Sequence, residues 1–170
     1  MRSPEKVFLI PSGYNFRAVL AFCRALKEAG HRPAIVACTE SDPVFYTRFA
    51  DDVVFTRRDR QLRVEEFAEA IEAARRTRGA SGCVLAPASE FLVRWALRER
   101  PALARAGCSL PLPDEATYLR VTDKATWTAF CAARGLPVPR ELAAPELPCV
   151  AKPRWNVSPD GASLYPWLLR

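Results

Sequence analysis

Histidine is nearly absent: the sequence has one, His31, and its seven glycines are spread thinly over 170 residues. One histidine excludes the HExxH zinc motif, which needs two on one helix face, and no Ser-His-Asp set or paired-carboxylate motif is present. His31 follows Gly30 in a turn and is expected at the surface. Scarce glycine excludes more. The first loop after a strand-like run holds Gly13 alone, so neither the GxGxxG dinucleotide fingerprint nor the GxxxxGK[ST] phosphate loop occurs. Long apolar runs are also missing. Val7 to Ile10, near the start, is too short for a signal-peptide core and far too short to span a bilayer, so a cytoplasmic chain with no membrane partner is expected. The six cysteines lie 15 or more residues apart without a CxxC, which predicts free thiols in a reducing compartment.

What is present is ordinary globular composition, 49% hydrophobic and 26% charged, on a chain long enough to bury a core. The net charge of +6 comes mostly from arginine, clustered at Arg57-Arg58-Asp59-Arg60 and Arg75-Arg76-Thr77-Arg78. No aromatic residue interleaves these clusters, and Glu65, Glu66, Glu69 and Glu72 follow the first. Both are therefore read as solvated surface, and nucleic acid is not an expected partner.

The hydrophobic pattern alternates between two periods. Lys6–Ile10 reads as a buried strand, broken by Pro11-Ser-Gly-Tyr-Asn15. Phe16, Val19, Leu20, Cys23 and Leu26 form one helical stripe, with Gly30 where a left-handed cap belongs, and Ala34–Cys38 is a second strand. Asp52–Phe55, a stripe of Val64, Phe67, Ala68, Ile71 and Ala74, and Gly82–Ala86 repeat the theme; a helix from about Ser89 to Arg98 follows, closed by Pro101. Strands apolar throughout and separated by helices predict a Rossmann-like α/β domain, a parallel sheet with helices on both faces. The proline-rich Ser109–Pro113 marks a domain boundary, giving units 1–112 and 113–170. Beyond it the pattern predicts helices over 114–121 and 124–134 and a closing strand, Leu147–Ala151.

In open parallel sheets ligands sit beyond the carboxyl ends of the strands. Ser12, Gly13, Tyr14 and Asn15 are therefore candidates to hydrogen-bond a small ligand, and Glu90 to hold an amine; each is also a residue type that caps and turns use. Two lysines stand apart. Lys124 opens a helix, where the macrodipole disfavours a cation by about 0.3–1 kcal/mol, unless Asp123 or another anion relieves it. Lys152 ends an apolar strand and precedes Pro153.

The ordered tract of helix-opening Asp123-Lys124, then Gly135-Leu-Pro-Val-Pro139, then Pro148-Cys-Val-Ala-Lys-Pro153 resembles the start of an ATP-grasp domain. Upstream, Phe49-Ala-Asp-Asp-Val-Val-Phe55, Val84-Leu-Ala-Pro-Ala-Ser-Glu90 and Leu110-Pro-Leu-Pro113 look like the preATP-grasp domain of carboxylate-amine ligases. The resemblance implies that Lys124 and Lys152 contact nucleotide phosphates and that 156–163, with Asn156, Ser158, Gly161 and Ser163, forms a loop closing over them. It also implies ATP and Mg²⁺ as cofactors and small carboxylate and amine substrates. Two departures accompany it. The loop has one glycine and a proline where the family has several small residues, and the chain ends before the family's metal ligands. The expectation is therefore the N-terminal part of such a ligase with an incomplete ATP-grasp subdomain, inactive alone. A non-catalytic regulatory module that binds a small ligand or nucleotide, and half of a glycosyltransferase, are the alternatives, the latter suggested by the stretch 16–36. Assembly into a homo-oligomer is left open.

Overall fold

Lys6–Pro11 (β1) lies at the centre of a five-stranded, fully parallel sheet, with Pro33–Ala37 (β2) on one side and Gly82–Leu85 (β4) on the other. The computed structural model describes residues 6–140, 146–158 and 162–170. Val53–Thr56 (β3) and Cys108–Ser109 (β5) complete the order β3-β2-β1-β4-β5. Lys6 pairs with Gly82 and Phe8 with Pro33, while a bulge between Ile35 and Val36 shifts the register towards β3. All five residues of β2 are buried, as a strand covered on both faces requires.

Helices cover both faces, the arrangement the alternating pattern predicts. Phe16–Glu28 (α1) joins β1 to β2 and packs Val19, Cys23 and Leu26 against Ile10, Ile35 and Ala37, with Val44 and Phe49 completing the layer. Val64–Arg78 (α2) and Glu90–Arg98 (α3) bring Phe67 and Trp95 together, ring centroids 4.4 Å apart. Ala70, rather than the expected Ala68, is buried beside Phe67, Ile71 and Ala74. Gly30, at φ +77°, terminates α1: its amide donates to Lys27 and that of His31 to Leu26, satisfying carbonyls the helix leaves open. His31 is exposed, 5.3 Å from the Phe8 ring. Pro101 does not simply close α3. It sits in the first turn of a further helix, Arg100–Arg105 (α4), where a missing N–H costs nothing.

The chain divides into two compact units between Leu112 and Pro113. In the second, Glu115–Thr122 (α5) is capped by Asp114 and Lys124–Ala132 (α6) by Asp123. Cys149–Ala151 (β6) pairs antiparallel with Trp167–Leu169 (β7), Val150 opposite Leu168. The sequence pattern predicts β6 but not its partner. All six cysteines are free. Among the described residues no helix is long and apolar enough to cross a membrane.

Candidate functional site

In the second unit, the start of α6 is tied to the segment that follows β6. Asp123 ends α5 and opens α6, its Oδ1 accepting from the amides of Ala125 and Thr126 at 3.1 and 3.3 Å. The same carboxylate receives Arg154, whose Nε donates to Oδ1 and Oδ2 at 2.9 and 2.8 Å and whose Nη2 adds a further bond. The Arg154 guanidinium holds the Asp123 carboxyl down to about 2, with the helix amides adding to the effect. The anion that the helix start wants is thus supplied by Asp123, and its charge is balanced by Arg154.

Lys124 is differently placed. Its Nζ donates to the Pro153 carbonyl at 2.9 Å and to Asn156 Oδ1 at 2.6 Å, both neutral acceptors. Among the described residues no carboxylate forms an ion pair with it, so the side chain is fixed while its charge stays unbalanced. An ammonium has three donors, and two are engaged. Of the expected phosphate-site residues, the structure brings together Lys124 and Asn156. Lys152 is exposed immediately before Pro153. Ser158 donates from both its amide and its hydroxyl to Ala162 O, at 2.9 and 3.1 Å, and exposed Ser163 bridges Val157. Gly161 lies outside the described residues.

In the first unit, the carboxyl ends of β1 and β2 border a cleft of about 470 Å³ lined by Ser12, Gly13, Tyr14, Cys38, Asp42 and Arg60, among others. Ser12 is buried, and its hydroxyl donates to Asp42 Oδ1 at 3.1 Å. Gly13 has φ +101°, and a Cβ there would stand 2.5 Å from that of Cys38, so only glycine fits this crossing. The Tyr14 hydroxyl donates to Arg60 O, and its ring lies 4.9 Å from Phe91; burial pushes the phenol upward. Asn15 caps α1, its side chain accepting from the Ala18 amide at 3.3 Å. Glu90 accepts from Arg94 at 2.6 Å, an ion pair one helical turn apart, so its charge is met within α3.

Three further residues take part. Asp42 is buried and accepts from Cys38 N at 2.7 Å and Val44 N at 3.0 Å as well as from Ser12. Cys38 is buried, and desolvation pushes its thiol upward. Arg57 corrects the surface reading of its cluster: Arg58 and Arg60 are exposed, but Arg57 is only 1% exposed. The available signal is position, since Arg57 is the first residue past β3 at the carboxyl edge of the sheet.

No family model and no curated protein matches the chain. Among solved structures, the chain is similar to the biotin carboxylase domain of a single-chain bacterial carboxylase, at 19% identity and a TM-score of 0.47, the match covering 79% of this chain and 30% of that one.

Proposed function

We propose that the start of α6 and the segment Lys152–Asn156 grip the phosphates of ATP, and that the chain serves an ATP-dependent carboxylate-amine ligase reaction. In that reaction a carboxylate oxygen takes the terminal phosphoryl group and ADP leaves. The amine nitrogen then attacks the acyl carbon, the carbon–oxygen bond breaks, phosphate departs with the electron pair, and the nitrogen gives up a proton.

The observation that carries this reading is the Lys124 ammonium, held by two neutral oxygens from a segment 29 and 32 positions away with its charge unspent. Holding a lysine before the ligand arrives removes much of its side-chain entropy cost, about 1.5–2 kcal/mol for a fully ordered lysine. Lys152 supplies a second cation to the same segment, and cations converging on a polyphosphate both bind and steer it. Arg154, by contrast, is spent on Asp123 and acts as a positioning residue for the helix start. Among the described residues no group of three or more His, Cys, Asp or Glu is placed to hold a metal.

Titration of the protein with ATP tests the assignment. Lys124→Ala and Lys152→Ala are each expected to weaken binding about tenfold, the scale of one charge-assisted contact. Unchanged affinity in both variants rejects the phosphate grip.

A further inference from the structure

Next to the cleft of the first unit lies a buried cation, Arg57, that has no ion-pair partner among the described residues. The Arg57 guanidinium donates to three carbonyl oxygens, those of Ser12 at 3.3 Å, Arg60 at 3.2 Å and Gln61 at 3.3 Å. Its Nε is buried without a hydrogen-bond partner, and among the described residues no carboxylate forms an ion pair with it. Guanidinium does not deprotonate in proteins, so its charge is permanent, and a buried unpaired charge is costly. The nearby buried carboxylate, Asp42, is engaged by a hydroxyl and two backbone amides.

Arg57 also stands where a ligand's charge would count. Its Nη2 lies 3.5 Å from the position a Gly13 Cβ would take, and its Cζ lies 5.8 Å from the Tyr14 ring centroid, next to two lining residues of the cleft. Arg60 adds a second guanidinium at the rim, with Nη2 held by Gly13 O at 3.2 Å. Thr39 and Ser41, whose hydroxyls bond each other at 3.0 Å, line the same cleft. A pocket of this size suits a small metabolite.

We infer that this cleft binds a small organic anion, a carboxylate or a phosphate ester, with its charged group held at Arg60 near the buried charge of Arg57. Arg60 is the direct ligand; Arg57 supplies field from beside Gly13, at a cost to folding that the bound anion offsets. The inference concerns the first unit alone and does not rest on the nucleotide reading.

Two probes, succinate and inorganic phosphate, are titrated separately into the isotopically labelled protein while the backbone amide signals of Gly13, Cys38 and Thr39 are followed. Saturable shifts centred on these amides are expected, and the probe that saturates at lower concentration identifies the charged group as carboxylate or phosphate. Replacing Arg57 leaves three carbonyls without their donor, so the decisive variant is exposed Arg60→Ala, expected to weaken binding about tenfold or more. Lys124→Ala is expected to leave these shifts unchanged, which separates this site from the phosphate grip. The inference is overturned if neither probe moves the three amides, if shifts are spread over the surface and never saturate, or if Arg60→Ala binds as well as the original protein.

Discussion

Asp123 does two jobs with one carboxylate, capping α6 and anchoring Arg154, while its backbone amide closes α5 on the Leu119 carbonyl. The charge-assisted bonds to Arg154 need the ionised form. Because the folded-state carboxyl is held down to about 2 from an ordinary 3.8, its contribution to stability is complete above about pH 4 and drains away as the pH falls towards 2. An acid titration followed through the Ala125 and Thr126 amides is expected to show helix-start opening in that window. Asp123→Asn should remove this acid step and release the Arg154 ion pair while its amide oxygen still caps α6; an acid step unchanged in Asp123→Asn would assign it to another group. Such a role is half legible from sequence. An Asp before a helix announces a cap, but nothing in 123 and 154 as separate positions announces a bidentate pair across 31 residues. Arg57 is less legible still, because an arginine cluster reads as solvated by composition. Only the end of β3 at the sheet's carboxyl edge distinguishes its first member from its exposed neighbours.

At the scale of elements, legibility follows length and burial. β1, β2 and β4 declare themselves through apolar runs because both sheet faces are covered. β5 has two residues and β7 three, too few for any period to show, and their pairing is settled by partners distant in sequence: Cys83 with Cys108, Cys149 with Leu169. The first of these pairings has a chemical consequence. Cys83 and Cys108 lie side by side on neighbouring strands, 2% and 3% exposed, and the Cys108 thiol together with burial pushes Cys83 upward. Neither should react with iodoacetamide in the native protein, whereas half-buried Cys149 on the short hairpin should be modified first and the rest only on unfolding. Peptide mapping of a labelling time course checks the order; early modification of Cys83 would contradict the packing of β4 against β5.

At the scale of the whole molecule, burial is unevenly divided. Among the described residues, Cys131 and Val157 are the buried apolar side chains of the second unit, whereas the first unit holds the entire sheet core. A chain ending at Leu112 should therefore unfold cooperatively, with a urea midpoint near that of the major transition of the full chain. Amide exchange in the full chain should be slowest in β1, β2 and β4. A gradual, non-cooperative melt of residues 1–112 would show that the second unit is needed for the first to fold. The strand order carries a further consequence for synthesis. β1 leaves the ribosome first yet sits in the middle of the sheet, and its β4 edge stays unpaired until Gly82 to Leu85 have been made and have emerged. At elongation rates of about 5–20 residues per second this is a wait on the order of several seconds to over ten, with an apolar strand edge open to wrong partners. The nascent chain is therefore most vulnerable after β3 has emerged and before β4 has, when half the sheet exists and its centre still has a free side.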